Sequence, residues 1–453
     1  MSRRTNRRSF LKETALAGVG FWAAGGVTLA QGRAANDKLN FACVGVGGKG
    51  SSDTDQAGQF GNIVALCDID DNHLNAKAGK FPKAQKYNDF RRMLQEMEKE
   101  IDAVVVSTPD HTHAPASMMA LKLKKHVYCQ KPLTHTVFEA RQMRETAAKL
   151  GLCTQMGNQG TAGTSLREGA EIVQAGLLGK VTEVYVWTNR PIWPQSPGIK
   201  ARPKDPMPVP ETLDWDLWLG PAPERPYHKV YHPFAWRGWW DFGTGALGDM
   251  ACHTANLPFM ALKLGYPSSV TAQCEPINPE TYPGWAQITF EFPARGDMVP
   301  VKFVWHEGKK DGKLVHPPEE VLKKVLKEGE KLSGSGSIMV GDKGIAYSPD
   351  DYGGSVRWFP EKPKAPTPTL PRNGGGDGGM KREWVEAIKA NKPQIAMSNF
   401  DYAAMLTETI LLGNVAMHAA GKKLEWDGPN LKFTNAADVN KFLHFEYRKG
   451  WTL

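Results

Sequence analysis

The 453-residue chain is 41% hydrophobic and 23% charged, an ordinary balance for a globular protein and enough length for two or three domains. Its net charge of +8 would suit a nucleic-acid partner, but residues 1–33 alone carry +5. The +3 left on the remainder forms no basic stripe interleaved with aromatics, which argues against nucleic acid.

In chain order, Asn6-Arg-Arg-Ser-Phe-Leu-Lys12 resembles a twin-arginine export motif. The weakly apolar stretch Ala15 to Ala30 that follows is too short and too rich in glycine for a membrane span. Residues 1–35 are therefore expected to be a signal read by the twin-arginine machinery, cut after Ala30 or Ala34, with a periplasmic or otherwise exported product. A disordered basic tail is the alternative.

The apolar run Leu39 to Val46 reads as a buried parallel strand, and it breaks into Gly45-x-Gly47-x-x-Gly50. Gly45 would permit the tight turn, Gly47 the approach of backbone N–H groups to a pyrophosphate, and Gly50 close packing of the next helix. A second run, Ile63 to Cys67, ends in Asp68, 23 residues beyond Gly45, where an acid holds adenosine ribose hydroxyls. An acid there repels a 2′-phosphate, so NAD is expected over NADP. Such a route of export carries folded proteins, which suits a chain that loads a nucleotide before leaving.

The βα alternation continues. Phe90, Met93, Leu94 and Met97 share a helical face, Ile101 to Val106 is a strand, and Ala114 to Leu123 is helical. His126 to Cys129 is the next strand, Thr136-x-x-Glu139 a capping box for a helix to Leu150, and Leu152 to Met156 another strand. Such alternation indicates an α/β fold, a Rossmann-type doubly wound parallel sheet over residues 36–158.

Beyond Asn158 the pattern changes. Ser165-x-x-Glu168 is expected to cap a helix ending near Gly176, and Val181 to Thr188 is a strand. Strand-like pieces at 286–292, 299–305, 336–340 and 344–348 have hairpin-like spacing, and 384–390 and 402–418 are helical. Residues 194–210 and 363–379 read as irregular loops. Residues 159–453 are thus expected to form an α+β domain with a large, mostly antiparallel open sheet. The six cysteines contain no CxxC pair and read as small buried apolar residues.

Two motifs could carry chemistry. Cys129-Gln-Lys-Pro132 follows a strand, so Lys131 would stand at the carboxyl edge of the sheet, where ligands of such folds bind. In Asp249-x-x-x-His253 the two side chains share a helix face, and a carboxylate could orient the imidazole as a general base. Pro258 would kink or end that helix. Seven of the 14 tryptophans lie between 187 and 240, of which one or two could face a sugar ring, with Arg237 or His232 as polar company. The pairs His111/His113 and His228/His232 have metal-compatible spacing, but no carboxylate or thiolate cluster completes them, so no metal is expected.

The glycine turn, Asp68, Thr108-Pro-Asp-His-Thr-His113, the x-Lys-Pro motif and the Asp249/His253 pair together resemble the glucose–fructose oxidoreductase / inositol dehydrogenase / rhizopine-catabolism (Gfo/Idh/MocA) family. The likeness runs over essentially the whole mature chain. It implies a sugar or cyclitol dehydrogenase with Lys131 and His253 as catalytic lysine and proton acceptor, and Asp249 beside them. It also implies a nucleotide site comprising Gly45, Gly47, Gly50, Asp68, Thr108, Pro109, His113, Gln130, Lys131 and Asn158. Trp236, Arg237 and Asn256 are candidate substrate contacts, and a homo-oligomer through the C-terminal sheet is implied. Gln130 departs from the family's glutamate, which removes a charge near the nicotinamide. Two other functions compete with a dehydrogenase. One is a glycoside-processing enzyme, hydrolase or epimerase, that retains NAD and works through a transient 3-keto sugar. The other is a non-catalytic saccharide-binding protein.

Overall fold

The computed structural model describes residues 38–453, so the signal expected over residues 1–35 lies outside the described residues. Strands β1 (Leu39–Val44), β2 (Gly61–Cys67), β3 (Gln85–Tyr87), β4 (Ala103–Val106), β5 (His126–Cys129) and β6 (Thr154–Met156) form a six-stranded sheet in the order β3-β2-β1-β4-β5-β6. All five pairings are parallel. The order reverses between β1 and β4, the crevice where such folds take ligands.

Helices α1 (Gly48–Phe60), α2 (Asp71–Lys80), α3 (Phe90–Glu96), α4 (Asp110–Lys122) and α5 (Val137–Leu150) alternate with these strands. Alternate side chains of β1 go to opposite layers: Phe41 and Cys43 to one, Ala42 and Val44 to the other. The capping box of α5 is present in both halves, and Gly151 ends the helix at φ 64°. Helix α1 forms despite a run of Ser, Asp and Thr, because its polar residues point inward to partners. Thr54 Oγ1 donates to the Gly50 carbonyl at 2.8 Å, and buried Asp53 pairs with Lys381 Nζ at 2.9 Å.

The chain then runs through α6 (Thr164–Gln174), β7 (Val181–Thr188), α7 (Trp215–Leu219), α8 (Gly245–Thr254), α9 (Asn256–Ala261), β8 (Ser269–Cys274), β9 (Trp285–Phe292) and β10 (Val301–Lys310). It continues through β11 (Lys313–Leu314), α10 (Glu319–Leu322), β12 (Ser335–Gly341), β13 (Ile345–Ser348) and β14 (Arg357–Phe359). The last elements are α11 (Gly376–Ala390), α12 (Phe400–Met417), β15 (Leu424–Asp427) and β16 (Lys432–Phe433). The second sheet has the order β14-β13-β12-β7-β10-β9-β8-β15-β16, with β11 off β10. Only β7 and β10 pair in parallel, so the sheet is mixed and mostly antiparallel, as expected.

One face of that sheet packs through Ile288, Phe290, Phe303 and Trp305 into the core shared with α8 and α12. The opposite face is covered over β7, β10, β12 and β13 by Val321, Leu322 and Val325. Along β9, outward-facing Trp285, Gln287, Thr289 and Glu291 stay half-buried.

Two local expectations change. Ser165 does not cap α6: the 3₁₀ turn Gln159–Ala162 runs straight into the helix, and Gly163 occupies the cap without a side-chain bond. Pro258 breaks the helix as expected: α8 stops at Thr254, four residues earlier, whose carbonyl has no Pro258 N–H to bond, and the chain resumes as α9 after Ala255. Residues 376–379 are helix instead of loop, with Asp377 in the first turn, where an acid suits the helix dipole, paired with Lys49 at 2.7 Å.

Helix α11 also returns to the first sheet, which a linear division at residue 158 does not anticipate. Trp384 lies fully buried against Phe41 and Tyr128, with ring centroids 5.6 and 5.7 Å away. Removing such a side chain costs about 3–5 kcal/mol. All six cysteines are free, and five are fully buried.

Candidate active site

Five loops converge on the carboxyl edge of the parallel sheet. Gly45 follows β1, Asp68 follows β2, Thr108 and Pro109 follow β4, Gln130 and Lys131 follow β5, and Asn158 follows β6. Gly45 adopts φ +75°, and a Cβ there would lie 2.7 Å from the Ser107 carbonyl oxygen. At Gly50 a Cβ would lie 1.8 Å from the Gly45 carbonyl oxygen, so only glycine lets α1 start this close to the strand. No side chain caps α1 and its first turn carries no acid, so its N-terminal amides are free to meet a pyrophosphate.

Asp68 is buried and fastens this turn. Its Oδ2 accepts from the Val46 and Gly47 amides at 2.7 and 3.1 Å, and its Oδ1 from the Asp70 amide at 3.0 Å.

Lys131 reaches across to α8. Its Nζ donates to the Asp249 carbonyl oxygen at 2.8 Å and to Asp249 Oδ1 at 2.9 Å. Arg237 Nε stands 3.5 Å from the same oxygen. Burial pushes the Asp249 carboxyl up, but Lys131 and Arg237 outweigh it and hold the group below the usual carboxylate range. His253 lies one turn further along α8, fully buried at Nδ1, with no hydrogen-bond partner for that atom. Burial, reinforced by the positive charge of Lys131, lowers its pKa to about 3. The imidazole is therefore neutral at ordinary pH, the form a proton acceptor must start from.

This corrects the expectation that Asp249 orients His253. The helical spacing does put both on one face, but the carboxylate turns to the two cations, which bind it more strongly than a neutral ring. Other expected contacts are also spent inside the protein. His113 meets the Pro132 and Thr108 carbonyls at 2.7 and 2.8 Å, a clamp between the β4 and β5 loops. Fully buried Asn158 accepts from Ser398 Oγ at 2.6 Å and donates to the Cys252 carbonyl at 3.4 Å. Asn256, also fully buried, donates to Thr161 Oγ1 at 2.8 Å and accepts from the Tyr402 hydroxyl at 2.7 Å, so it does not reach a substrate. His111 and most of the tryptophans are core: Trp218, Trp239 and Phe242 form one cluster, and His111 bonds the Trp218 and Phe242 carbonyls. Trp236 touches the site only through Arg237, whose guanidinium lies 4.2 Å over its ring.

Gln130 does not leave the region without a negative charge. Its Nε2 donates to Asp53 Oδ2 at 2.8 Å, joined there by Ser107 Oγ at 2.9 Å. Burial raises Asp53, but Lys381 and Lys49 outweigh it and keep the carboxyl below its usual range. Asp53 and Lys381 had no sequence signal as site residues, since an Asp and a Lys 328 residues apart show no pattern. Asp110 was likewise unmarked within its motif. It accepts from Thr244 Oγ1 at 2.7 Å, and burial pushes its pKa to about 6 against the pull of Lys131 and Arg237.

A glycine turn opening a helix toward the edge of a parallel sheet, with a lysine at that same edge and an unpartnered imidazole brought up from a second sheet domain, defines a dinucleotide-binding oxidoreductase fold. The chain belongs to the Gfo/Idh/MocA oxidoreductase family: the family's NAD-binding Rossmann fold matches residues 39–158, and its C-terminal alpha/beta domain residues 162–311. Among curated proteins, D-glucoside 3-dehydrogenase of Escherichia coli (strain K12) is 34% identical over 128 residues, 28% of this chain and 35% of that protein. A glycosyl hydrolase family 109 protein of Solibacter usitatus (strain Ellin6076) is 31% identical over 202 residues, 40% of this chain and 44% of that protein. The chain thus spans less than half the length of these relatives. An inositol dehydrogenase homolog from Azotobacter vinelandii, solved with NADH and myo-inositol, has the same fold at TM-score 0.59 and 16% identity, covering 86% of this chain and 98% of that one.

Proposed function

We propose that the protein is an exported, NAD-dependent oxidoreductase acting on a secondary alcohol of a sugar, sugar derivative or cyclitol. The observation that carries this reading is that Lys131, at the carboxyl edge of a NAD-binding sheet, is bonded to Asp249 one helical turn from the unpartnered imidazole of His253, whose charge it opposes. The uncapped α1 N-terminus and the crowded glycine turn fit a dinucleotide, which when bound supplies the acceptor for the substrate's hydride. His253 takes the hydroxyl proton on its neutral ring. Lys131 donates a hydrogen bond to the same oxygen and stabilises the alkoxide charge as it grows. Asp249, fixed by Arg237, holds the lysine in place.

Export by the twin-arginine route would separate the protein from cytoplasmic NAD, which favours a cofactor retained and regenerated in place. Association into a homo-oligomer would use the half-buried face along β9. The likeness to a family 109 glycosyl hydrolase favours a second reading, glycoside processing through a transient keto sugar. The test is to purify the mature protein from the periplasm, denature it and assay the supernatant for NAD(H). Near-stoichiometric NAD(H) is expected. Absence of nucleotide, together with no binding of added NAD by calorimetry, would refute the reading.

A further inference from the structure

Residues beyond 311 lie outside both matched family domains, yet they bring a side chain to the cleft. The loop between β13 and β14 carries Tyr352, whose ring stands 4.9 Å from that of His253 with the planes at 80°. Tyr352 is 39% exposed, unusual for a large aromatic residue packed against a buried imidazole. No hydrogen bond engages its hydroxyl among the described residues.

The exposure is not that of a loose loop. The Asp350 carboxylate accepts from the amides of Tyr352, Gly354 and Ser355 at 2.8, 2.9 and 2.9 Å. On the other side, the Tyr352 main chain packs so tightly on Gly160 that a Cβ there would lie 2.6 Å from the Tyr352 carbonyl oxygen. Gly160 belongs to the 3₁₀ turn that leaves the nucleotide-binding sheet, so the tyrosine is braced from the sheet that holds the cofactor. The edge-to-face contact with His253 covers part of the ring, but 39% of the residue stays exposed to the cleft, and its phenol has no partner there among the described residues.

We propose that Tyr352 is a substrate-contacting residue, the wall of the alcohol site that faces His253. This rests on the polyol reading above. A saturated polyol ring presents a C–H face and a rim of hydroxyls. A tyrosine matches both, with an apolar ring for the face and a free phenol for one rim hydroxyl. The same ring keeps solvent from the imidazole, so that the proton acceptor meets the substrate before water.

The experiment uses the NAD-loaded full-length enzyme with myo-inositol and methyl β-D-glucoside as probes. Tyr352→Ala should raise KM about tenfold or more while NAD affinity stays within about twofold, since both the stacking face and the phenol are lost. Tyr352→Phe, which keeps the fold and the ring, should raise KM about fivefold, the worth of one hydrogen bond. Wild-type KM and kcat in both variants would overturn the proposal.

Should the wild type oxidise neither probe, the fault lies with the polyol reading. The wall is then judged without substrate, by the rate of diethylpyrocarbonate modification at His253 read by peptide mass. Tyr352→Ala should speed that reaction severalfold, and an unchanged rate would overturn the proposal.

Discussion

Lys131 and Asp249 lie 118 residues apart, and the lysine ammonium grips both the carboxylate and the main-chain carbonyl of the aspartate, at 2.9 and 2.8 Å. The contact joins the loop after β5 to helix α8, so it sets the position of the lysine relative to His253 on the same helix. Asp249 is thus a positioning residue for Lys131.

That assignment makes a specific claim about coupling. Asp249→Ala and Lys131→Ala should each slow the hydride step, and the double variant should be little worse than Lys131→Ala alone, because residues acting as a unit are not additive. Asp249→Ala combined with His253→Ala should instead be clearly worse than either. Single-turnover NADH formation on the wild type and these five variants measures this. Additive losses for Asp249 and Lys131 would break the link.

Asp68 both fastens the glycine turn and supplies a charge, and the two roles separate by substitution. Asp68→Asn keeps an acceptor for the Val46 and Gly47 amides while removing the charge that repels a 2′-phosphate. It should relax the preference for NAD over NADP with modest loss of NAD affinity, and Asp68→Ala should lose NAD affinity as well. Fluorescence titration with both nucleotides distinguishes them. A wild type that binds NADP as tightly as NAD would contradict the role given to Asp68.

Glu307 supplies a pH test remote from the chemistry. Burial raises its carboxyl from 4.5 to about 8, only partly offset by the Trp305 Nε1 bond at 2.7 Å. The folded state therefore holds a proton that the unfolded chain releases, and stability falls as pH rises between those two values. Glu307→Gln keeps an acceptor for Trp305 and removes the titration. Its gain over wild type should be small at pH ~5 and reach at most a few kcal/mol by pH ~9, at about 1.4 kcal/mol per pH unit. Thermal melts across that range would show it, and a gain independent of pH would contradict it.

The parallel sheet was legible because β1, β2, β4 and β5 are buried on both faces and read as short continuous apolar runs ending in glycine, an acid or a loop. The α5 helix was legible from Thr136 and Glu139, four residues of purely local chemistry. Helix α2 was not, since its face offers only Leu74 and the stem of Lys77 to the core. Within the site, Lys131 and His253 could be marked because each sits in a patterned motif. The partner of Asp249 could not: helical spacing says which residues share a face, but not that cations from two other loops arrive at that face. Lys381 and Tyr352 were invisible for the same reason. Each acts through a contact that exists only once the chain beyond residue 311 has folded back on the first sheet.

The central claim is that His253 and Lys131 act on the substrate oxygen and not on the dinucleotide. The most direct measurement is single-turnover reduction of bound NAD by a panel of sugars and cyclitols in His253→Ala. NAD affinity should be nearly unchanged, while the hydride step slows by about 10²–10⁴-fold, the usual loss for a general base. A His253→Ala enzyme that reduces bound NAD at the wild-type rate would contradict the account.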